Sequence, residues 1–467
     1  MKHVFYHITD THYYSKKNFA LDPWSYPQFD DQMSFRESEE IIKKALQIIL
    51  EDEETSTVIM TGDMTNHGET YSHEEMTALL RDFEAKGGKP YAVTDSHDYP
   101  WFDIFRIDEK GNRVPKEHMP REDVVPMYYP FGRDKASDTF DGDDTTYIAE
   151  ILPGLRYIAM GYELTSEDGL TDPAFSDEQM AWVKKHADEA KEDGAIIICG
   201  THWPIVTPSP AYNILGKGNT FVNGEERAKE LADMGIRLFF SGHTHIQYMG
   251  EITSDKGNKL YSVQTSALTG FPPKMRRITI DTDTGLVQIR TIDLDLPELN
   301  LGMSLTEYCR KGFLGSIEMI PYNMEHDIKA FAETGGGITL PKELIYKHPK
   351  IVSFIGKKIN GLTCGTMAAF SKKYHGMKKS EYAHKKDDKV VPFLLDLVAH
   401  LYSGNANVEP ESVEYKVTMA VVKKIEKLTK TFGIKLDKLL CGYTLSEVVD
   451  PLLYNSGLDD DNVDVMI

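Results

Sequence analysis

Cysteine is scarce in this chain, and so are the patterns that give it a structural role. The four Cys, at 199, 309, 364 and 441, show no C-x-x-C spacing, which speaks against a zinc ribbon and a disulfide framework alike. Cys199 lies within the apolar run AIIICG, so buried thiols are expected. Long apolar runs are missing too: none approaches the roughly 20 residues that a membrane-spanning helix needs. The N-terminus opens directly on a strand-like pattern, without the basic and apolar regions of a signal peptide. A cytoplasmic protein with no membrane partner is the expectation. Basic charge is in short supply, with 52 Lys and Arg against 73 Asp and Glu for a formal net charge of −21. Such a surface repels a phosphate backbone, so sequence-independent nucleic-acid binding is not expected. The chain shows no internal repeat and no low-complexity segment.

What is present is a chain of 467 residues, long enough for two or three domains and a large core. Its organising stretch is VIMTGDMTNHGE, Val58 to Glu69. A short β-branched run, a Gly that permits a tight turn and then Asp63 place the carboxylate at the C-terminal end of a buried strand. Open α/β sheets carry their chemistry there. Three more apolar runs end alike: VFYHITDTH delivers Asp10 and His12, AIIICGTHWP delivers His202, and IRLFFSGHTH delivers His243 and His245. Carboxylates and neutral imidazoles are the ligands that borderline divalent metals select. These six residues predict a metal site with Asp63 at its centre.

Taken in order, the first 240 or so residues alternate strand and helix patterns. The spacing Ser34 to Glu37 predicts a capping box before a helix through Ile41, Ile42, Ala45, Leu46, Ile49 and Leu50; Ser72 to Glu75 predicts a second, and Ser176 to Gln179 a third. Repeated βαβ units with right-handed crossovers follow. Two stretches break the alternation. An insertion at about 99–144 is too long for an idle connection and reads as lying on the substrate side. Runs around Pro153-Gly154 and Asp283-Thr284-Gly285 predict hairpins at sheet edges. Beyond Leu296 helical periodicity takes over and Lys becomes denser, as in VVKKIEKLTK. Domains of 1–295 and 296–467 are expected; the second is helical, with a solvated Lys face as the plain reading and a wall of the site or a dimer surface as the sharper one. The acidic tail LDDDNVD is expected to fray.

These motifs carry a family resemblance. Asp10-Thr11-His12, Gly62-Asp63, Ser96-His97-Asp98, His202 with Pro204, and Gly242-His243-Thr244-His245 resemble, in order, the D-x-H, G-D, G-N-H-[DE], H and G-H-x-H blocks of the calcineurin-like metallophosphoesterases. The likeness spans the region up to His245 and looks closest to bacterial members similar to class III cyclic-nucleotide phosphodiesterases. It implies an α/β fold, a four-layer α/β/β/α sandwich with an additional C-terminal helical domain. It also implies two divalent or trivalent transition-metal ions, Mn, Fe or Zn. By the same resemblance Asp10, His12, Asp63 and His245 hold the first ion, Asp63, His202 and His243 hold the second, and Asp63 bridges. The implied reaction is hydrolysis of a small-molecule phosphoester, a phosphodiester by preference, through a hydroxide shared between the ions. His97 would contact the phosphate or protonate the leaving group, and Asp98 would orient His97. A phosphomonoester or pyrophosphate substrate, or a weakly active scaffold, is the alternative.

The sequence departs from the family pattern at one place. Asp95 and Ser96 stand where the family has Gly and Asn, and in the family that Asn is a ligand of the second ion. Three outcomes are open: Asp95 or Asp98 supplies a ligand, a water held by Ser96 fills the position, or the second ion binds weakly. The water is the preferred reading. Asn66 and Trp203 are candidates for substrate contact, with a turn role for Asn66 and packing against the site for Trp203 as the plainer readings. His3, His7, His67, His73 and His118 read as hydrogen-bonded core or surface residues, and Trp101, Phe102, Tyr128 and Tyr129 as local core of the insertion. Natural substrate and oligomeric state carry no signal in the sequence.

Overall fold

A computed structural model describes residues 1–18, 32–100, 104–107, 113–167, 170–215, 220–333, 342–431, 435–455 and 457–467. The chain begins with two βαβ units: β1 (Lys2–Ile8), α1 (Ser38–Glu51), β2 (Thr57–Thr61), α2 (Thr70–Ala85) and β3 (Lys89–Val93). The insertion adds a hairpin of β4 (Ile104–Ile107) and β5 (Arg113–Lys116), then α3 (Arg121–Tyr128) and β6 (Asp138–Thr139). Then come β7 (Tyr147–Leu152), β8 (Leu155–Ala159), β9 (Glu163–Glu167), β10 (Leu170–Ala174), α4 (Asp177–Asp193), β11 (Ile196–Gly200), α5 (Pro210–Leu215), α6 (Gly224–Asp233) and β12 (Leu238–Ser241). The strands β13 (Tyr248–Thr253), β14 (Lys259–Gln264), β15 (Lys274–Asp281) and β16 (Leu286–Asp293) lead to α7 (Leu305–His326) and further helices, and β17 (Asn462–Met466) follows them.

Two large sheets result, in the orders β17-β16-β15-β1-β2-β3 and β13-β14-β12-β11-β8-β7-β6. The strands β1, β2 and β3 run parallel in the first, and β8, β11, β12 and β14 in the second. Strand alternation sends Phe5, Ile59 and Tyr91 of the first sheet against Tyr157, Ile198 and Phe240 of the second. The opposite face of the first sheet, with Ile8 and Met60, is covered by Ile41, Leu46, Leu80 and Phe83 of α1 and α2. On the second sheet, Ile158 and Phe239 are covered by Val183, Ala187 and Leu231 of α4 and α6. This is the four-layer α/β/β/α sandwich, and each fully buried side chain of this size contributes about 1.5–3 kcal/mol.

Several local expectations need correction. The hairpins β7–β8 and β15–β16 form, but β8 pairs in parallel with β11 and β15 pairs with β1, so both lie inside their sheets. Neither of the first two capping boxes forms. Ser34 Oγ meets Cys309 Sγ at 3.2 Å, and Ser72 lies inside α2, its hydroxyl accepting from the Ser15 amide at 3.2 Å and from Asn18 Nδ2 at 3.0 Å. Ser176 does cap α4, accepting from the Gln179 amide at 3.1 Å, while the Gln179 side chain donates to Thr146 Oγ1 and the Gly161 carbonyl. Tyr128 is core, its hydroxyl 3.0 Å from His73 Nδ1; Trp101 and Phe102 lie outside the described residues.

The tail does not fray. β17 adds to β16 in antiparallel register, Val463 opposite Ile289. Buried Asp460 accepts from the amides of Met249 at 2.8 Å and Asn405 at 2.6 Å. The helical region between α7 and β17 is docked on the sandwich. Tyr308 Oη donates to Glu37 at 2.9 Å, Phe313 stacks on Phe271, and the Gln247 amide donates to the Tyr402 carbonyl at 2.9 Å. Among the described residues no helix is long and apolar enough to cross a membrane.

Candidate metal centre

The ends of β1, β2, β11 and β12 converge. The Asp10 amide donates to the Gly62 carbonyl at 3.2 Å, the His12 amide to Asp63 at 3.0 Å, and the Gly242 amide to His202 at 2.8 Å, which zips the four loops together. Asp10, His12, Asp63, His243 and His245 all hold positive φ, at 51°, 38°, 50°, 69° and 60°. Each such residue costs about 1–3 kcal/mol, a strain that accumulates at functional sites. Two glycines make room. A Cβ on Gly62 would stand 2.6 Å from the His202 ring, and one on Gly242 would stand 2.2 Å from Asp10 Oδ2.

The side chains form two triads, Asp10–His12–His245 and Asp63–His202–His243, each with its ligand atoms within 4.8 Å of one another. A third such group, His12–Asp63–His97, lies beside them. Asp10 Oδ2 is anchored by Thr9 Oγ1 at 2.8 Å and the His243 amide at 3.0 Å. Its other oxygen, Oδ1, faces inward without a hydrogen bond, 3.1 Å from His245 Nε2 and 3.6 Å from His12 Nε2. The two imidazole nitrogens of His12 and His245 are 3.2 Å apart.

His202 provides the sharpest test of fit. Its Nδ1 must donate to the Thr61 carbonyl at 2.7 Å, because a carbonyl can only accept. In the neutral ring Nε2 is then a lone pair, and it stands 2.9 Å from Asp63 Oδ2 without hydrogen-bond geometry. Two lone pairs at that distance repel unless a cation joins them. Burial opposes a charge on His202, but the carboxylates of Asp63, Asp95 and Asp10 outweigh it and hold the ring well above the usual imidazole range. Burial pushes His12 down to about 4 and His243 to about 3, so both offer neutral nitrogens. Burial would raise Asp10 and Asp63, yet the surrounding imidazoles, His202 foremost, keep both carboxyls below their usual range. Buried carboxylates facing the neutral nitrogens of His12 and His243, with His202 holding a positive charge between them until a metal ion takes the proton's place, are consistent with a dinuclear metal site.

The residues around the triads differ from expectation in informative ways. Asp98 does not orient His97. Its carboxylate accepts from the Thr65 amide at 2.8 Å and the Asp95 amide at 2.9 Å. The His97 ring is oriented by the Asn66 carbonyl, which accepts from Nδ1 at 2.5 Å, and the His97 amide donates to Asp63 Oδ1 at 3.0 Å. Asp95 Oδ1 accepts from the Ser96 amide, Tyr162 Oη and Trp203 Nε1, at 2.6, 2.8 and 2.9 Å. Among the described residues neither Asp95 nor Asp98 joins a ligand-spaced group, so neither is placed as a replacement ligand. Trp203 is 1 % exposed and its ring stacks on His243 with centroids 3.9 Å apart, the plainer packing role that the sequence offered for it. Asn66 is buried and serves the turn through its carbonyl. His7 is the hydrogen-bonded core residue that the sequence predicts, linking Thr61 to Thr265 at 2.9 and 2.7 Å behind the carbonyl that fixes His202. The closeness of the His67 ring to the His97 ring, 5.0 Å, escaped the sequence reading.

Facing sheets with Asp and His clusters at their strand ends define a metal-dependent hydrolase. Residues 3–247 match the family model described as calcineurin-like phosphoesterase, and the chain belongs to that family. It is accordingly a metal-dependent phosphoesterase of the calcineurin-like superfamily. No curated protein matches it in sequence. Among solved structures it is similar to a dimetal phosphatase from Danio rerio, at 14 % identity over 62 % of this chain and 96 % of that one, with a TM-score of 0.44. It is also similar to a purple acid phosphatase from yellow lupin (Lupinus luteus) seeds, at 13 % identity over 63 % of this chain and 52 % of that one, TM-score 0.39. A third is the phosphopantetheinyl hydrolase of Mycobacterium tuberculosis, at 11 % identity over 56 % and 89 %, TM-score 0.28. None of these bears on the substrate.

Proposed function

We propose that the site hydrolyses a small phosphodiester, of the cyclic-nucleotide kind that the bacterial class III branch takes, with His97 as phosphate contact and proton donor. The observation that supports this most is the placing of His97 beside both triads, its Nδ1 donating to the Asn66 carbonyl at 2.5 Å. That bond fixes the tautomer, so Nε2 is the nitrogen that exchanges a proton with a leaving alkoxide. Asp10, His12, Asp63 and His245 would hold one ion and Asp63, His202 and His243 the other, Mn, Fe or Zn being acceptable to this set. When bound, such a pair supplies an acidified water and a clamp on the phosphoryl oxygens. The chain's own residues fix the donor atoms: Thr61 sets the His202 tautomer, Trp203 braces His243, and the Thr9 hydroxyl and His243 amide turn Asp10 Oδ1 inward. With Ser96 in the place where the family has an amide ligand, a water would complete that position.

A comparison of Asp63→Asn and His97→Ala on bis-aryl phosphodiesters and aryl phosphomonoesters tests the reading. Asp63→Asn is expected to lose metal and turnover together. His97→Ala is expected to keep its metal and lose roughly 10²–10⁴-fold in rate, the range of a positioned general acid, with a smaller deficit on better leaving groups. Equal losses on good and poor leaving groups would remove the acid role, and faster turnover of monoesters would remove the diester assignment.

A further inference from the structure

The whole chain is acidic, yet residues 342–389 carry twelve Lys against four Asp or Glu, and every one of those lysines except Lys385 is exposed. Within this segment lies the helix Pro349–Gly361. One side of it is fixed against α7. Gly356 approaches so closely that an added Cβ would stand 2.6 Å from the Glu325 amide nitrogen. Ser353 Oγ donates to the Glu325 carbonyl at 2.8 Å, and Asn360 Nδ2 donates to the Pro321 carbonyl at 3.0 Å and to Glu325 Oε2 at 2.8 Å. The helical period then turns residues 351, 354, 355 and 358 outward together. Ile351 is 57 % exposed, Phe354 60 % and Ile355 42 %. Lys358 Nζ lies 5.3 Å over the Phe354 ring, within the stripe, and by the same period Lys350 and Lys357 flank one edge of it. An amphipathic helix held rigidly with apolar side chains outward and lysines around them is built for a membrane interface: the apolar groups enter the acyl boundary while the ammonium groups reach headgroup phosphates.

We infer that the face of helix Pro349–Gly361 bearing Ile351, Phe354 and Ile355 docks on an anionic lipid bilayer, with Lys350, Lys357 and Lys358 beside it, in a segment rich in exposed Lys, supplying the attraction. Charge complementarity selects this occupant. A second copy packed on the same face about a two-fold axis would bring the two lysine clusters together and repel. A bilayer with anionic headgroups attracts this segment and repels the acidic remainder, so the charge asymmetry also fixes which face lands. The absence of a membrane-spanning helix among the described residues has no bearing on such peripheral contact.

Sedimentation of the full chain with phosphatidylcholine vesicles, with and without phosphatidylglycerol, tests this. Binding is expected only with phosphatidylglycerol and is expected to weaken as salt screens the charges. Phe354→Glu combined with Ile355→Glu should lower partitioning by roughly tenfold or more. The same variant should turn over a soluble bis-aryl phosphodiester at the wild-type rate, which keeps this test separate from the phosphoesterase reading. No binding to phosphatidylglycerol vesicles, or binding unchanged in the double variant, overturns the inference. So does light scattering that shows a dimer lost in that variant, since a second copy would then cover the face.

Discussion

His97 shows how a single side chain depends on backbone it does not own. The motif places Asp98 next to it, and adjacency suggests that the carboxylate steers the ring. In the folded chain Asp98 turns back to hold the amides of Thr65 and Asp95, and a carbonyl more than thirty residues away sets the ring. That carbonyl carries no sequence signal, because every residue has one. His73 makes the same point about burial. Its Nε2 donates to the Asp98 carbonyl at 2.8 Å, and its ring is fully buried; burial lowers its pKa to about 4. An unfolded His titrates near ~6.5, so between those values the unfolded chain holds more protons and stability must fall as the pH falls. The contribution is complete above the unfolded value and is lost at a slope of at most about 1.4 kcal/mol per pH unit. Urea unfolding of chelator-treated protein across that window should show a shallower acid loss in His73→Gln than in wild type. Parallel pH profiles would mean that His73 is already charged in the fold.

At the scale of elements, the strands that carry the site were legible and the strand that closes the sheet was not. β1, β2, β11 and β12 are covered on both faces, so they read as unbroken apolar runs with their chemistry at one end. β17 follows three consecutive Asp and alternates polar with apolar residues, and its partner β16 lies some 170 residues earlier; only the pairing turns Val463 and Val465 into core. The capping signals at Ser34 and Ser72 failed for a related reason, since both hydroxyls are bound by distant partners. Asp460 is the residue that fastens β17 in place. In Asp460→Ala the amides of Met249 and Asn405 lose their acceptor, and each orphaned buried donor costs about 1–3 kcal/mol. The midpoint of urea unfolding should drop accordingly, and an unmoved midpoint would mean that water replaces the carboxylate.

For the molecule as a whole, the ties between sandwich and helical region lie close to the ligand loops. Gln247, two residues beyond His245, is bound through its amide to Tyr402, and its side chain donates to Thr291 at 2.8 Å. Lys274 Nζ reaches both the Ser403 carbonyl, at 3.0 Å, and Asp461, at 2.8 Å. Loosening the helices therefore loosens the loop that carries His243 and His245, so the two regions should unfold together. Ions bound only by the folded form stabilise it by mass action, about 2.7 kcal/mol at a hundredfold excess over Kd for one site. All four Trp precede Pro204 in the chain and none belongs to the helices that begin with α7, so Trp fluorescence carries no emitter from those helices, while far-UV circular dichroism includes them. Added Mn should raise the melting temperature by the same amount in both signals. If the fluorescence transition rose while part of the helical signal melted at its former temperature, the helices beyond Leu305 would be a separate folding unit, and their contacts with Gln247 and Lys274 would not couple them to the metal centre.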